Sequence, residues 1–392
     1  MRRRQFIQGV AAGTAVAWLE RKGLPAAKPT GRVTIDEPFD GAVLNRRHGK
    51  QTAGALRIRV RGTAPAGRRV TVNGVPARRE GKAFEAVVAL RDRETAIAVA
   101  AEGADGKDEG RIRVVWDRHS FPRYRFSIDD NSFFLRDIAQ KRYKSLFDCF
   151  YLDALRTLHK KHGAKFVLNI YYTTGKDFNL TQFPDRYKGQ WADNAAWLRL
   201  AFHARANDPA RPYQDAEPKR LIADLDQVAE QIVRFAGKEV YTPPTVIHWG
   251  MTRPSAFKPL YKRGVRVLSG YFRKNARGRW DINYRLPDTI SEYLSRHDAW
   301  KDFDSGIVFS RVDIVCNSVP VDKTIGRLEP LTRDPNTAEI MDLFTHEQYF
   351  WPFYRHYIPD HAERLDTAIS FVTRKGYKPV FYHEGFLGAP GQ

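Results

Sequence analysis

The chain has 392 residues, 42% of them hydrophobic and 12% aromatic, a globular composition long enough for two or three domains with real cores. Its 65 Lys and Arg against 45 Asp and Glu give a formal charge of +20, a bias toward polyanionic partners such as nucleic acid, anionic cell-wall polymer or acidic polysaccharide. The basic residues are dispersed, and no helix-turn-helix, zinc-finger or RNA-binding signature accompanies them, so nucleic acid is set aside; an Arg-rich surface that only solubilises is the plainer reading. The two cysteines, Cys149 and Cys316, lie in apolar runs, which predicts buried free thiols, with one disulfide as the alternative, and excludes thiolate metal ligation.

Residues 1–27 read as an export signal: Arg2-Arg3-Arg4 precede a short Ala/Gly-rich apolar stretch from Phe6 to Leu19, too short and too weakly apolar for a transmembrane helix. Arg3-Arg4-Gln5-Phe6-Ile7-Gln8 resembles a twin-arginine signal, which implies a periplasmic or secreted protein with no membrane span once the signal is removed near Ala26-Ala27. From Val33 to Trp116 the apolar period is two. Leu56, Ile58 and Val60 alternate with Arg57, Arg59 and Arg61, and Ile112 and Val114 with Arg111 and Arg113. Asn73-Gly74 supplies the positive φ angles of a tight hairpin inside Val70–Val75. Residues 33–116 therefore predict a β-sandwich, whose pattern resembles the bacterial immunoglobulin-like modules that precede carbohydrate enzymes.

After Trp116 the pattern becomes strand, helix, strand. Phe126-Ser127-Ile128-Asp129-Asp130-Asn131 reads as a buried strand ending in two carboxylates, which strand geometry turns to opposite sides. Ser145 and Asp148 predict the start of a helix whose buried face is Leu152, Leu155 and Leu158 and whose stop is Gly163. Phe166 to Tyr172 is a continuous apolar run, as in a strand covered on both faces. The unit recurs: a helix over Asp215–Ala236, a strand Thr245–His248, a short helix Ser255–Arg263, a strand Val265–Leu268, a helix opened by an Asp360/Glu363 capping box, and a strand Val380–Tyr382. Such alternation over residues 123–392 predicts an α/β domain, a complete or distorted (β/α) barrel.

In such a barrel the chemistry collects where strands end. Asp129 and Asp130, His203, His248 and His346 all end strands in this reading. Histidine and carboxylate without thiols suit a divalent ion with an open water position, and a nearby carboxylate and a late histidine complete a proton circuit. Arg205, Asn207, Trp249, Asp313, Glu347 and Tyr349, with Tyr271, Trp351 and Tyr354, sit near the predicted mouths as candidate groove residues. Asp313 could also orient a histidine or form a buried salt bridge with Arg311 or Arg253, and Glu347 could orient His346 or face outward.

Over about Arg123 to Leu387 the sequence resembles the polysaccharide deacetylase (NodB-like) group of glycoside hydrolase/deacetylase barrels. Ser127-Ile128-Asp129-Asp130 is similar to the family's Thr-Phe-Asp-Asp motif, which implies Asp129 as general base and Asp130 as metal ligand. His203 is similar to the first His of a His-x-x-x-His ligand pair, and Leu343-Phe344-Thr345-His346 to the late motif whose His is the general acid. The chain departs from the pattern at Asn207, where the second ligand His belongs, at Asn131 in place of Gly, and in lacking a clean Arg-x-Pro; His248 is then the candidate third ligand. The resemblance implies zinc, or cobalt or nickel, and removal of acetyl groups from the amino sugars of a glycan. Two alternatives remain: a metal-independent glycosidase pairing Asp129 or Asp130 with Glu347 or Asp313, and a non-catalytic glycan-binding protein.

Overall fold

The computed structural model describes residues 33–104 and 106–388; the expected export signal lies outside them. Among the described residues no helix is long and apolar enough to cross a membrane.

Residues 34–116 form two five-stranded sheets. In one, Leu56–Thr63 is flanked by Thr34–Glu37 and Ala83–Leu90; in the other, Glu94–Gly103 lies between Arg69–Val72 and Gly106–Trp116. The period-two pattern explains the layering. Leu56, Ile58 and Val60 are buried and Arg57, Arg59 and Arg61 exposed, and the inner faces meet in a core with Val72, Phe84, Val99 and Trp116. Asn73 and Gly74, at φ 47° and 79°, turn Arg69–Val72 into Val75–Pro76 as the dipeptide predicts.

The rest is mixed α/β. Arg123–Asn131 pairs in parallel with Phe166–Tyr171 and with Ile340–His346, and Phe166–Tyr171 pairs in turn with Leu198–Ala204. A second sheet of three strands has Val267–Gly270 parallel to Val308–Arg311. These sheets do not close into one continuous ladder. Leu200 meets Tyr241 through an isolated bridge, and the Ser269 N–H reaches the Thr245 carbonyl at 2.7 Å. The strand expected at Thr245–His248 is absent because Pro243 and Pro244 cannot donate to a ladder, and His248 instead opens the short 3-10 turn His248–Gly250. At the other end Pro379 limits the last strand to Lys378–Pro379, and Tyr382–Gly385 is helical rather than extended.

Helices Phe133–Lys141, Phe150–His162, Pro218–Phe235 and His361–Arg374 cover the sheets, burying Leu152, Leu155 and Leu158 from the second and Leu221, Leu225, Val228 and Ile232 from the third. The Ser145/Asp148 capping box forms, but on a 3-10 turn, Leu146–Asp148, ahead of the α-helix. The expected box at Asp360 and Glu363 does not form, because Asp360 accepts from Arg364 at 3.1 Å instead. The sandwich leans on this region through Phe39 stacked on Tyr293 and through the Trp300 indole N–H on the Asp40 carbonyl at 2.7 Å. Gly41 allows that approach: at φ 86°, a Cβ there would lie 2.2 Å from Trp300 Nε1.

Candidate metal centre

Asp129 and Asp130 end their strand, but not on opposite sides. The register with Phe166–Tyr171 slips between Ile128 and Asn131, and Asp130 has φ 60° in the left-handed region. A bulge of this kind re-aims a side chain, and a non-glycine residue in that region costs about 1–2 kcal/mol that the surroundings must offset. Both carboxylates consequently face one imidazole: His203 Nε2 is 3.1 Å from Asp130 Oδ1 and 3.8 Å from Asp129 Oδ2.

His203 comes from Leu198–Ala204, beside Phe166–Tyr171, and His248 from the turn that replaces the expected strand. His248 Nδ1 is 2.9 Å from His203 Nε2 and 3.6 Å from Asp130 Oδ1. Donors around a four-coordinate zinc-class ion, each about 2.0–2.1 Å from it, stand roughly 3.3 Å apart. The three observed edges of 2.9, 3.1 and 3.6 Å bracket that spacing, so the donor set fits such an ion in chemistry and in spacing. Asn207, at the position where the resemblance implies a second ligand histidine, is exposed, and its Oδ1 stands 3.4 Å from the Tyr171 hydroxyl.

The protonation pattern follows from burial and from this crowding. Burial works to raise Asp130, but the hydrogen bond from His203 and the histidine charges outweigh it and hold the carboxyl well below its usual range. Asp129 is pushed up, chiefly by burial, against His203 and His346. Burial pulls His203 down, yet Asp129 and Asp130 carry it above its ordinary value. His248 falls to about 3, first through burial and then through its neighbour His203, and so stays a neutral imidazole.

Four further side chains hold the cluster. Asn169 Nδ2 donates to Asp129 Oδ1 at 2.6 Å, the Tyr171 hydroxyl donates to Asp130 Oδ1, Gln348 Nε2 donates to Asp130 Oδ2 at 2.9 Å, and Asn317 Oδ1 accepts from His346 Nδ1 at 2.9 Å. His346 ends Ile340–His346 directly opposite Asp129 in the register. Sequence reasoning did not single out these four. A polar Asn169 inside an otherwise apolar strand was the one visible signal.

The remaining candidates divide. Trp249 is 41% exposed beside His248, held at φ 65° with the Arg211 guanidinium 4.9 Å from its ring. Tyr349 lies 6.0 Å from the His346 ring and packs on Tyr354. Arg205 turns away to Gln227, donating at 2.6 Å. Glu347 and Asp313 do not face the mouth. Glu347 is fully buried and accepts from the backbone N–H groups of Ser132, Phe133 and Phe134 and from the Trp351 indole, closing the N-terminus of helix Phe133–Lys141. Asp313 is buried against Arg311 and the Asp342 N–H. The two-carboxylate alternative therefore loses both of its proposed second acids.

No family model matches the chain, and no curated protein matches it. Among solved structures, a 4-alpha-glucanotransferase from Thermococcus litoralis aligns at 14% identity over 68% of this chain, with a TM-score of 0.44; the chain spans only 40% of that enzyme. A protein described as a polysaccharide deacetylase involved in O-antigen biosynthesis, from Bordetella bronchiseptica, aligns at 12% identity over 64% of this chain and 84% of its own, with a TM-score of 0.33. One described as an alpha-galactosidase, from Bacteroides fragilis, aligns at 12% identity over 88% and 79%, with a TM-score of 0.28. At such scores these likenesses carry no argument about fold or activity.

Proposed function

We propose that the chain is a metal-dependent hydrolase that removes acetyl groups from an extracellular or cell-envelope polysaccharide, built on a distorted (β/α) barrel behind an immunoglobulin-like module and exported by the twin-arginine route. The observation that carries this reading is the convergence of one Asp130 oxygen and two imidazole nitrogens, from His203 and His248, at ligand spacing. Asp129 stands on one side of them, and His346 ends the neighbouring strand.

Asp130, His203 and His248 would hold a zinc-class ion, which would supply Lewis acidity toward an acyl oxygen and acidify a water. The chain's own residues then move protons. Asp129, fixed by Asn169 and raised by burial, is the base that takes the proton of the attacking water. His346, with Nδ1–H anchored on Asn317, turns its other nitrogen toward a leaving amine or alkoxide and protonates it. Trp249 and Tyr349 offer flat aromatic faces to sugar rings at the mouth.

The test is acetate release from acetylated amino-sugar oligomers and from O-acetylated glycans, with and without a chelator. The reading expects release that the chelator abolishes, and a drop on the order of 10²–10⁴ in Asp129→Asn and in His346→Gln with metal content retained. Release that survives the chelator, or that Asp129→Asn leaves intact, would overturn it.

A further inference from the structure

The three ion donors do not all stand in the same way. Of the three, Asp130 alone has a left-handed backbone, and two side chains from other parts of the chain hold its oxygens. Tyr171, at the end of Phe166–Tyr171, donates its hydroxyl to Asp130 Oδ1 and stands 3.3 Å from His248 Nδ1. Gln348, in the turn Glu347–Phe350, donates to Asp130 Oδ2 at 2.9 Å. One donor on each oxygen fixes both the tilt and the rotation of the carboxylate.

We propose that Tyr171 and Gln348 are a two-point clamp on Asp130, positioning residues that make it deliver one oxygen, Oδ1, to the cation site while Oδ2 stays tied to the protein. The inference rests on the metal-hydrolase reading of the same site. The two holders differ in kind: Tyr171 arrives on a buried strand, and Gln348 on the segment that also carries His346 and Glu347. Glu347 anchors that segment through three backbone N–H groups, which fixes where Gln348 leaves the chain. A carboxylate confined to one oxygen suits a small four-coordinate ion, whereas a large ion such as Ca²⁺ draws on both oxygens of a free carboxylate. Outer partners of ion ligands are worth about 10–100-fold in affinity by general experience, and a clamp on the only carboxylate donor belongs at the upper part of that range.

The experiment titrates zinc into the apo full-length protein by calorimetry, comparing wild type, Tyr171→Phe, Gln348→Met, Asp130→Ala and the double variants Tyr171→Phe/Asp130→Ala and Gln348→Met/Asp130→Ala. The clamp expects each single clamp variant to bind zinc about 10–100-fold more weakly, with the apo melting temperature unchanged and no further loss in the Asp130→Ala background. A merely structural role would lower apo melting and leave affinity alone. If wild type binds zinc and both clamp variants bind as tightly, the clamp is overturned and the ion site stands. If wild type binds no zinc, the ion site fails and takes the clamp with it.

Discussion

The floor and the mouth of the parallel sheet each bury charged side chains on the same strands, and they balance those charges differently. Below the mouth, Arg125 and Asp342 face each other in register, with Arg125 Nε donating to Asp342 Oδ1 at 2.8 Å, Nη1 to Thr245 at 2.7 Å, and the Ser269 hydroxyl on the other carboxylate oxygen. Arg311 pairs in the same way with Asp313 at 2.6 Å. Four residues further along the two strands, Asp129 and Asp130 form no ion pair with an arginine or lysine among the described residues; their neighbours are imidazoles, amides and a phenol. A buried carboxylate is tolerated when a fixed cation compensates it. The floor supplies that cation as arginine, whereas at the mouth the group facing both carboxylates is the His203 imidazole. What separates the two clusters is the compensating group the sequence places there, arginine below and imidazole at the mouth.

Breaking the floor should cost the most. Arg125→Met strands Asp342, whose pKa burial already pushes up to about 6, and is expected to lower unfolding free energy by about 3–5 kcal/mol in denaturant titrations. A loss under about 1 kcal/mol would erase the contrast. Next comes the turn just beyond the mouth: Glu347→Ala removes the acceptor of three backbone N–H groups and an indole N–H, an expected loss of about 2–3 kcal/mol by the same measurement.

His361 gives a pH handle away from the ion donors. It is buried on Thr345 and lowered to about 3, mainly by burial, from an ordinary 6.5. The unfolded chain takes up a proton that the folded chain refuses, so this contribution is present above pH 6.5 and is lost as pH falls toward 3. His361→Gln is therefore expected to flatten the decline of stability across that window, read from denaturation midpoints at stepped pH; an unchanged slope would refute the assignment. The smallest effect belongs to the mouth. Asp130→Asn keeps a residue that accepts φ 60° but removes the charge that His203 compensates, so apo stability should fall by about 1–2 kcal/mol in denaturant titrations.

Much of the site was legible in the sequence because its signals are local. Paired acids ending an apolar run marked Asp129 and Asp130, and histidines closing apolar runs marked His203 and His346. The rest depends on pairing. Nothing within Phe126–Asn131 announces that the register slips there, yet the slip is what turns both carboxylates onto His203. His248 joins Asp130 and His203 although its expected strand is missing, because the proline-interrupted segment still delivers it to the same end. Glu347 misled through adjacency: one residue beyond His346 the chain turns back over a helix start, and a carboxylate there belongs to the backbone. Tyr171 hid inside an apolar run, where a phenol reads as core.

The most direct measurement is elemental analysis of the purified full-length protein, wild type beside Asp130→Ala, His203→Ala and His248→Ala. The account predicts about one zinc-class ion per chain in wild type and its loss in all three variants. A wild type that stays metal-free after reconstitution with zinc, cobalt or nickel, or variants that retain the ion in full, would contradict it.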